Sequence, residues 1–244
     1  MKKLALTFCL LFVFENPLQV FALQNVPILI YHSIDEFTGH GSKELYVTPE
    51  NFEKQMTYLK EHGYTLLTFE RWQEMKRVRK PIFITFDDGY KNNLNAFAIF
   101  QKLETKSFKP AGTIFVISDF IGRSNRLSKT EIKKMADSGL ISIQSHTATH
   151  PDLTITENLT YELKDSKEKL QRITGKPIIA LAYPYGNTDE QVIRETKKYY
   201  TYGLTTIPGL YSNTGIKNEL YLLPRTYIKY STTLDEFVKL IETN

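Results

Sequence analysis

The segment Pro81-Ile82-Phe83-Ile84-Thr85-Phe86 constrains the fold more than any other part of the chain. It is β-favouring and apolar on both faces, the mark of a strand buried inside a parallel sheet. It ends abruptly in Asp87-Asp88-Gly89. Two carboxylates therefore stand at the carboxyl end of a buried strand, where α/β folds build their sites because the connecting loops are free to vary. Adjacent aspartates point in different directions, so one can hold a metal while the other faces a substrate. A plain turn uses the same three residue types, and the rest of the chain has to decide between the two.

Strand and helix patterns alternate on both sides of this segment. Pro27 to His32 reads as a first buried strand, and Thr48-Pro49 as an N-cap followed by proline at the first helical position. The helix that follows carries Phe52, Met56 and Leu59 on one face and stops near Gly63. Further strands are expected at 64–67, 111–116, 141–145, 178–182, 202–206 and 222–227. Helices are expected at 69–76, 93–103, 189–199 and 233–241, with a capping box at Ser128 to Glu131 and a long amphipathic helix over 157–174. The Lys/Glu face of 162–169 reads as solvated surface. The alternation predicts an α/β fold: a distorted (β/α) barrel of about seven parallel strands in a single domain over 23–244, with a doubly wound open sheet as the alternative.

Residues 1–22 stand apart. Lys2-Lys3 precede the apolar run Leu4 to Phe14, and Val20-Phe21-Ala22 supplies small residues for cleavage, the pattern of a secretory signal peptide, with an uncleaved anchor as the alternative. Export places the chain outside the cytoplasm, secreted or associated with the cell surface. Cys9, the one cysteine, lies inside that segment, so the mature chain has neither disulfide nor thiol chemistry. Removing Lys2, Lys3 and Glu15 takes the formal charge from +4 to +3, which gives no reason to expect a nucleic-acid partner. A monomer is expected.

Chemically useful residues recur at the strand ends. His32 follows the first strand, Asp87 and Asp88 the third, His146 and His150 the fifth, and Tyr183-Pro184-Tyr185-Gly186 the sixth. In a barrel these ends converge on one face. Two of the five histidines lie four apart in Ser145-His146-Thr147-Ala148-Thr149-His150. A pair of imidazoles with a carboxylate makes a catalytic zinc set that leaves a coordination position open.

Together the segments Thr85-Phe86-Asp87-Asp88-Gly89, His146-Thr147-Ala148-Thr149-His150 and Tyr183-Pro184-Tyr185-Gly186 resemble three ordered motifs of the polysaccharide deacetylase (NodB-homology, carbohydrate esterase family four) family. The resemblance spans about residues 27–227. It implies that Asp88, His146 and His150 bind a divalent metal, zinc being expected, that Asp87 is the general base, and that the Tyr185 backbone N–H helps to hold the oxyanion.

The departures are informative. The family's third motif opens with an arginine that orients the base, and here that position is Ala182. No aspartate-tryptophan motif is found, and no histidine follows His150. The strand Ile28-Leu29-Ile30-Tyr31-His32 supplies the missing strand-and-histidine at the front of the chain. That order resembles the circularly permuted poly-β-1,6-N-acetylglucosamine deacetylase branch, which makes His32 the candidate general acid. Arg225 is the candidate for the missing arginine. The activity that the resemblance implies is metal-dependent N-deacetylation of N-acetylglucosamine residues, with poly-β-1,6-N-acetylglucosamine exopolysaccharide as the expected substrate. Peptidoglycan and chitin oligomers are the alternative substrates, and a catalytically impaired glycan-binding protein is the alternative function. A glycoside hydrolase using Asp87 and Asp88 as its acid pair fails, because vicinal carboxylates do not flank a scissile bond at the required separation.

Overall fold

The computed structural model describes residues 25–242. The strands are β1 (Ile28–Tyr31), β2 (Ser33–Ile34), β3 (Tyr46–Val47), β4 (Thr65–Leu67), β5 (Pro81–Phe86), β6 (Gly112–Val116), β7 (Ile141–Ser145), β8 (Ala180–Ala182), β9 (Tyr202–Leu204) and β10 (Thr226–Tyr227). The helices are α1 (Pro49–Glu61), α2 (Asn93–Leu103), α3 (Lys129–Asp137), α4 (Ser166–Thr174), α5 (Glu190–Thr196) and α6 (Leu234–Glu242). A 3₁₀ segment occupies Phe69–Lys76. No helix among the described residues is long and apolar enough to cross a membrane.

The main sheet runs β10-β1-β5-β6-β7-β8-β9, with β4 also paired to the start of β5, and every pairing is parallel. Its two ends meet. Leu223 makes a parallel bridge to Leu204 of β9, and three residues later Thr226 pairs with Leu29 of β1. The strand expected over 222–227 is thus split at Pro224 into two short pieces, one on each end of the sheet. The result is the distorted barrel, closed by a single strap. The small β2–β3 pair is an addition that the sequence patterns did not show.

The both-face burial of the strands has a simple cause, because the described residues form two cores. Leu29, Tyr31, Ile82, Ile84, Phe86, Ile114 and Ile143 pack outward with Phe52, Met56, Phe100 and Leu170 of the helices. The alternate residues Ile28, Phe83, Phe115, Ala182, Leu204 and Leu223 pack inward, where Phe69, Trp72 and Met75 of the 3₁₀ segment plug the interior. The period of two therefore sorts each strand between helix layer and barrel interior.

The helix ends follow their sequence signals. Thr48 Oγ1 accepts from Asn51 N at 3.2 Å, and Ser128 and Glu131 form the reciprocal capping box. One expectation fails. The helix expected over 157–174 contains a π-helical turn at Tyr161–Asp165, and its Lys/Glu face is not all solvated. Glu162 is only 4% exposed, because it turns toward the loop that follows β7, whereas Ser166 is buried as its place on the inward face of the helix predicts. The predicted signal segment, 1–22, lies outside the described residues.

Candidate active site

The carboxyl ends of β1, β5, β7 and β8 bring the predicted residues to one end of the barrel. Asp87 N donates to Tyr31 O at 2.9 Å, which carries the ladder one residue past β5. Asp87 thus keeps the inward direction of Phe83 and Thr85. Asp88 then adopts φ 72° and swings out of register. This is the physical basis for two neighbouring acids facing different partners.

His146 N donates to Val116 O at 3.0 Å, and its ring Nδ1 lies 2.8 Å from Ala182 O. A proton on Nδ1 satisfies that carbonyl and leaves the Nε2 lone pair facing the acids. Nε2 is 3.6 Å from Asp88 Oδ1 and 3.9 Å from Asp87 Oδ2, and His150 Nε2 is 3.7 Å from the same Asp88 oxygen. The three ligand atoms of Asp88, His146 and His150 all lie within 4.8 Å of one another. Donors about 2.1 Å from a tetrahedral zinc stand about 3.4 Å apart, so this set fits one divalent ion with small closure. Burial first, and then the neighbouring His146, pushes the His150 pKa down to about 4, which keeps its imidazole neutral and able to ligate.

Arg225 enters the barrel from the strap and is 1% exposed. Its two terminal nitrogens reach the two oxygens of Asp87 at 2.7 Å each, and its Nε donates to Thr205 O at 2.9 Å. Burial by itself raises the Asp87 pKa. The Arg225 charge, then His146 and the paired hydrogen bonds, overcome it and hold the acid well below the usual carboxylate range. Residue 182 is alanine, and the arginine that reaches Asp87 comes from the strap, far along the chain.

His32 leaves β1 with its carbonyl fixed by Asn93 Nδ2 at 2.6 Å. Burial lowers its pKa, against the opposing charges of Asp87 and Asp88. Its ring lies 5.3 Å from that of Tyr227, and Nδ1 is 3.3 Å from the Tyr227 hydroxyl. Tyr227 escaped the sequence reading, although it lies two residues beyond Arg225 on the same strap and so shares its direction. Tyr185 stands at the rim, 64% exposed, with its ring 4.8 Å from His150. Its neighbour Gly186 cannot carry a side chain, since a Cβ there would lie 2.2 Å from Thr206 Oγ1.

The backbone marks the same place. Of the non-glycine residues with positive φ among the described residues, Asp88, Thr147, His150 and Tyr185 are all at this site, and only Lys80 and Asn218 are elsewhere. Strained conformations gather where the surrounding structure over-determines them, and sites are the usual location.

Residues 74–204 match the family model described as polysaccharide deacetylase. The chain belongs to the polysaccharide deacetylase family. A crystal structure of a polysaccharide deacetylase from Bacillus cereus superposes with a TM-score of 0.89 at 53% identity, covering 90% of this chain and 70% of that one. YxkH of Bacillus subtilis, which carries the same family's name, is 32% identical over 227 residues, 89% of this chain and 76% of its own. The poly-β-1,6-N-acetyl-D-glucosamine N-deacetylase of Staphylococcus epidermidis is 30% identical over 189 residues, 68% of this chain and 64% of its own. As a member of this family the polysaccharide deacetylase described here is a hydrolase of amides. Within it, Asp87 is bound by an arginine from the closing strap.

Proposed function

We propose that the chain is an exported, metal-dependent N-deacetylase that removes acetyl groups from N-acetylglucosamine residues of an extracellular polysaccharide, with the β-1,6-linked polymer as its substrate. The observation that carries the reading is the convergence of Asp88, His146 and His150 beside an Asp87 clamped by Arg225. The name of the Staphylococcus epidermidis relative supports the choice of polymer. The sequence pattern of 1–22 supports export.

Asp88, His146 and His150 would hold the divalent ion, zinc being the natural choice for two imidazoles and a carboxylate. When bound, that ion supplies Lewis acidity toward the acetyl carbonyl and the attacking water. Asp87 is the general base. Its Oδ2 is the oxygen on the side of the ligand cluster, and it takes the water's proton as the carbonyl is attacked. Arg225 fixes both oxygens of Asp87, which keeps the base ionised and correctly turned at the cost of some basicity. The Tyr185 N–H donates to the developing oxyanion. His32, with Nδ1 beside Tyr227, has Nε2 left to protonate the departing sugar amine. Amide and water become amine and acetate.

The test is acetate release from the β-1,6 polymer, chitin oligomers and peptidoglycan by the mature chain with zinc, beside Asp87→Asn and His32→Ala. Activity on the β-1,6 polymer that both substitutions abolish supports the reading. Activity confined to chitin or peptidoglycan reassigns the substrate. Retention in His32→Ala removes His32 as the acid. No release from any polymer by the metal-loaded chain points to glycan binding without catalysis.

A further inference from the structure

The loop that carries both histidine ligands is held from a direction the catalytic reading does not use. Glu162, buried at 4% exposure, lies in the π-helical turn Tyr161–Asp165. Such single-turn bulges are frequent at functional sites. Its Oε2 accepts from both Ala148 N and Thr149 N at 2.9 Å, and its Oε1 accepts from Thr149 Oγ1 at 2.6 Å. Ala148 and Thr149 lie between His146 and His150.

The other side of the same peptides is held by main chain and by Ser166. Ser118 N donates to Thr147 O and Asp119 N to Ala148 O, each at 3.0 Å. Ser166 Oγ donates to Thr147 O at 2.9 Å. Thr147 Oγ1 accepts from His150 N at 3.0 Å, and both of these residues have positive φ. The left-handed conformation is unfavourable for threonine and histidine, so the loop stays in this shape only while something outside it holds it. The carbonyls are held from the 118–119 segment and the amides from Glu162. A side chain ending in a planar oxygen pair suits the second task, because one such oxygen has two lone pairs and can serve two converging N–H groups.

We infer that Glu162 is a positioning residue for the metal centre: by gripping the Ala148–Thr149 amides it sets the distance at which His150 meets His146 and Asp88. The inference rests on the metal reading of those three residues. Partners behind first ligands typically change metal affinity by about 10–100-fold when removed. A residue important only for folding would lower the melting temperature of the metal-free chain and leave the zinc affinity of the folded protein unaltered.

The test is the zinc dissociation constant of the full chain, measured by competition with a chromophoric chelator, beside the melting temperature of the zinc-free form. Glu162→Ala is expected to weaken zinc by about 30-fold. Glu162→Gln can preserve all three contacts, its oxygen accepting from the two amides and its nitrogen donating to Thr149 Oγ1, and is expected to stay within about threefold of wild type. Wild-type affinity in Glu162→Ala overturns the inference. A Gln variant as weak as the Ala variant overturns it too, since charge rather than geometry then governs the site. Should Glu162→Ala not fold, Glu162→Asp carries the test, because its carboxylate is one methylene short of the two amides and must weaken zinc by about tenfold. Wild-type affinity in that variant overturns the inference equally. A wild-type chain that binds no zinc sinks the metal reading itself, and with it any role for Glu162 there.

Discussion

Arg225 and Asp87 are buried together and joined by two hydrogen bonds, so neither can lose its partner cheaply. Replacing Arg225 by Met strands a carboxylate inside the barrel. The expected cost is about 3–5 kcal/mol by chemical denaturation. Adding Asp87→Asn should recover a large part of it, because the stranded charge is then gone. A cost below about 1 kcal/mol for Arg225→Met would show that the pair is not coupled as the geometry requires. His150 gives a second prediction, of pH dependence. Its folded pKa, about 4, lies below the unfolded value of about 6.5. Below the higher value the unfolded chain binds more protons, so the contribution is complete above about pH 6.5 and fades as the pH falls to about 4. The melting temperature of zinc-free protein should decline across that window, and less steeply in His150→Gln. Identical profiles for the two proteins would remove His150 as the source.

Among the elements, the capping box of α3 allows a direct measurement. Ser128→Ala removes the acceptor for Glu131 N and should cost about 1 kcal/mol, read as a fall of a few degrees in melting temperature. No change would mean that the box contributes nothing to the folded domain. The same box shows why part of the fold was legible beforehand: Thr48 and Ser128 act through neighbours three residues away. The buried strands were legible for a similar reason, since apolar residues on both faces leave them few other places to go. Elements decided by distant partners were not. Ahead of β8 the amide of Ile179 goes to Gln144 Oε1 at 2.7 Å in place of a neighbouring strand, and β8 begins only at Ala180, two residues into its apolar pattern. The turn at Tyr161–Asp165 follows the loop it supports, which no periodicity in 157–174 encodes. The candidate site divides likewise. Asp87, Asp88, His146 and His150 announce themselves by spacing after a buried strand, whereas Tyr227 and Glu162 are picked out only by what they touch.

For the molecule as a whole, the strap is where sheet closure and site chemistry depend on one another. Leu223 is fully buried in the inner core and makes the bridge to β9, two residues before Arg225. Leu223→Ala should cost about 2–5 kcal/mol. It should also reduce acetate release while leaving zinc affinity near wild type, because the three ligand candidates stand on other strands. Equal losses of zinc binding and turnover would mean that the site is not divided in this way. The position of the strap also has a consequence for how the protein is made. Asp87 is synthesised well over a hundred residues before Arg225, and β1 must wait for β10 to be flanked on both sides. A chain made only as far as β9 can display the acids and both histidines, yet Asp87 has no cation to hold it and the barrel no last stave. The strap, residues 223–227, is therefore the last part of this site to be made, and Asp87 stays without its arginine until that segment emerges.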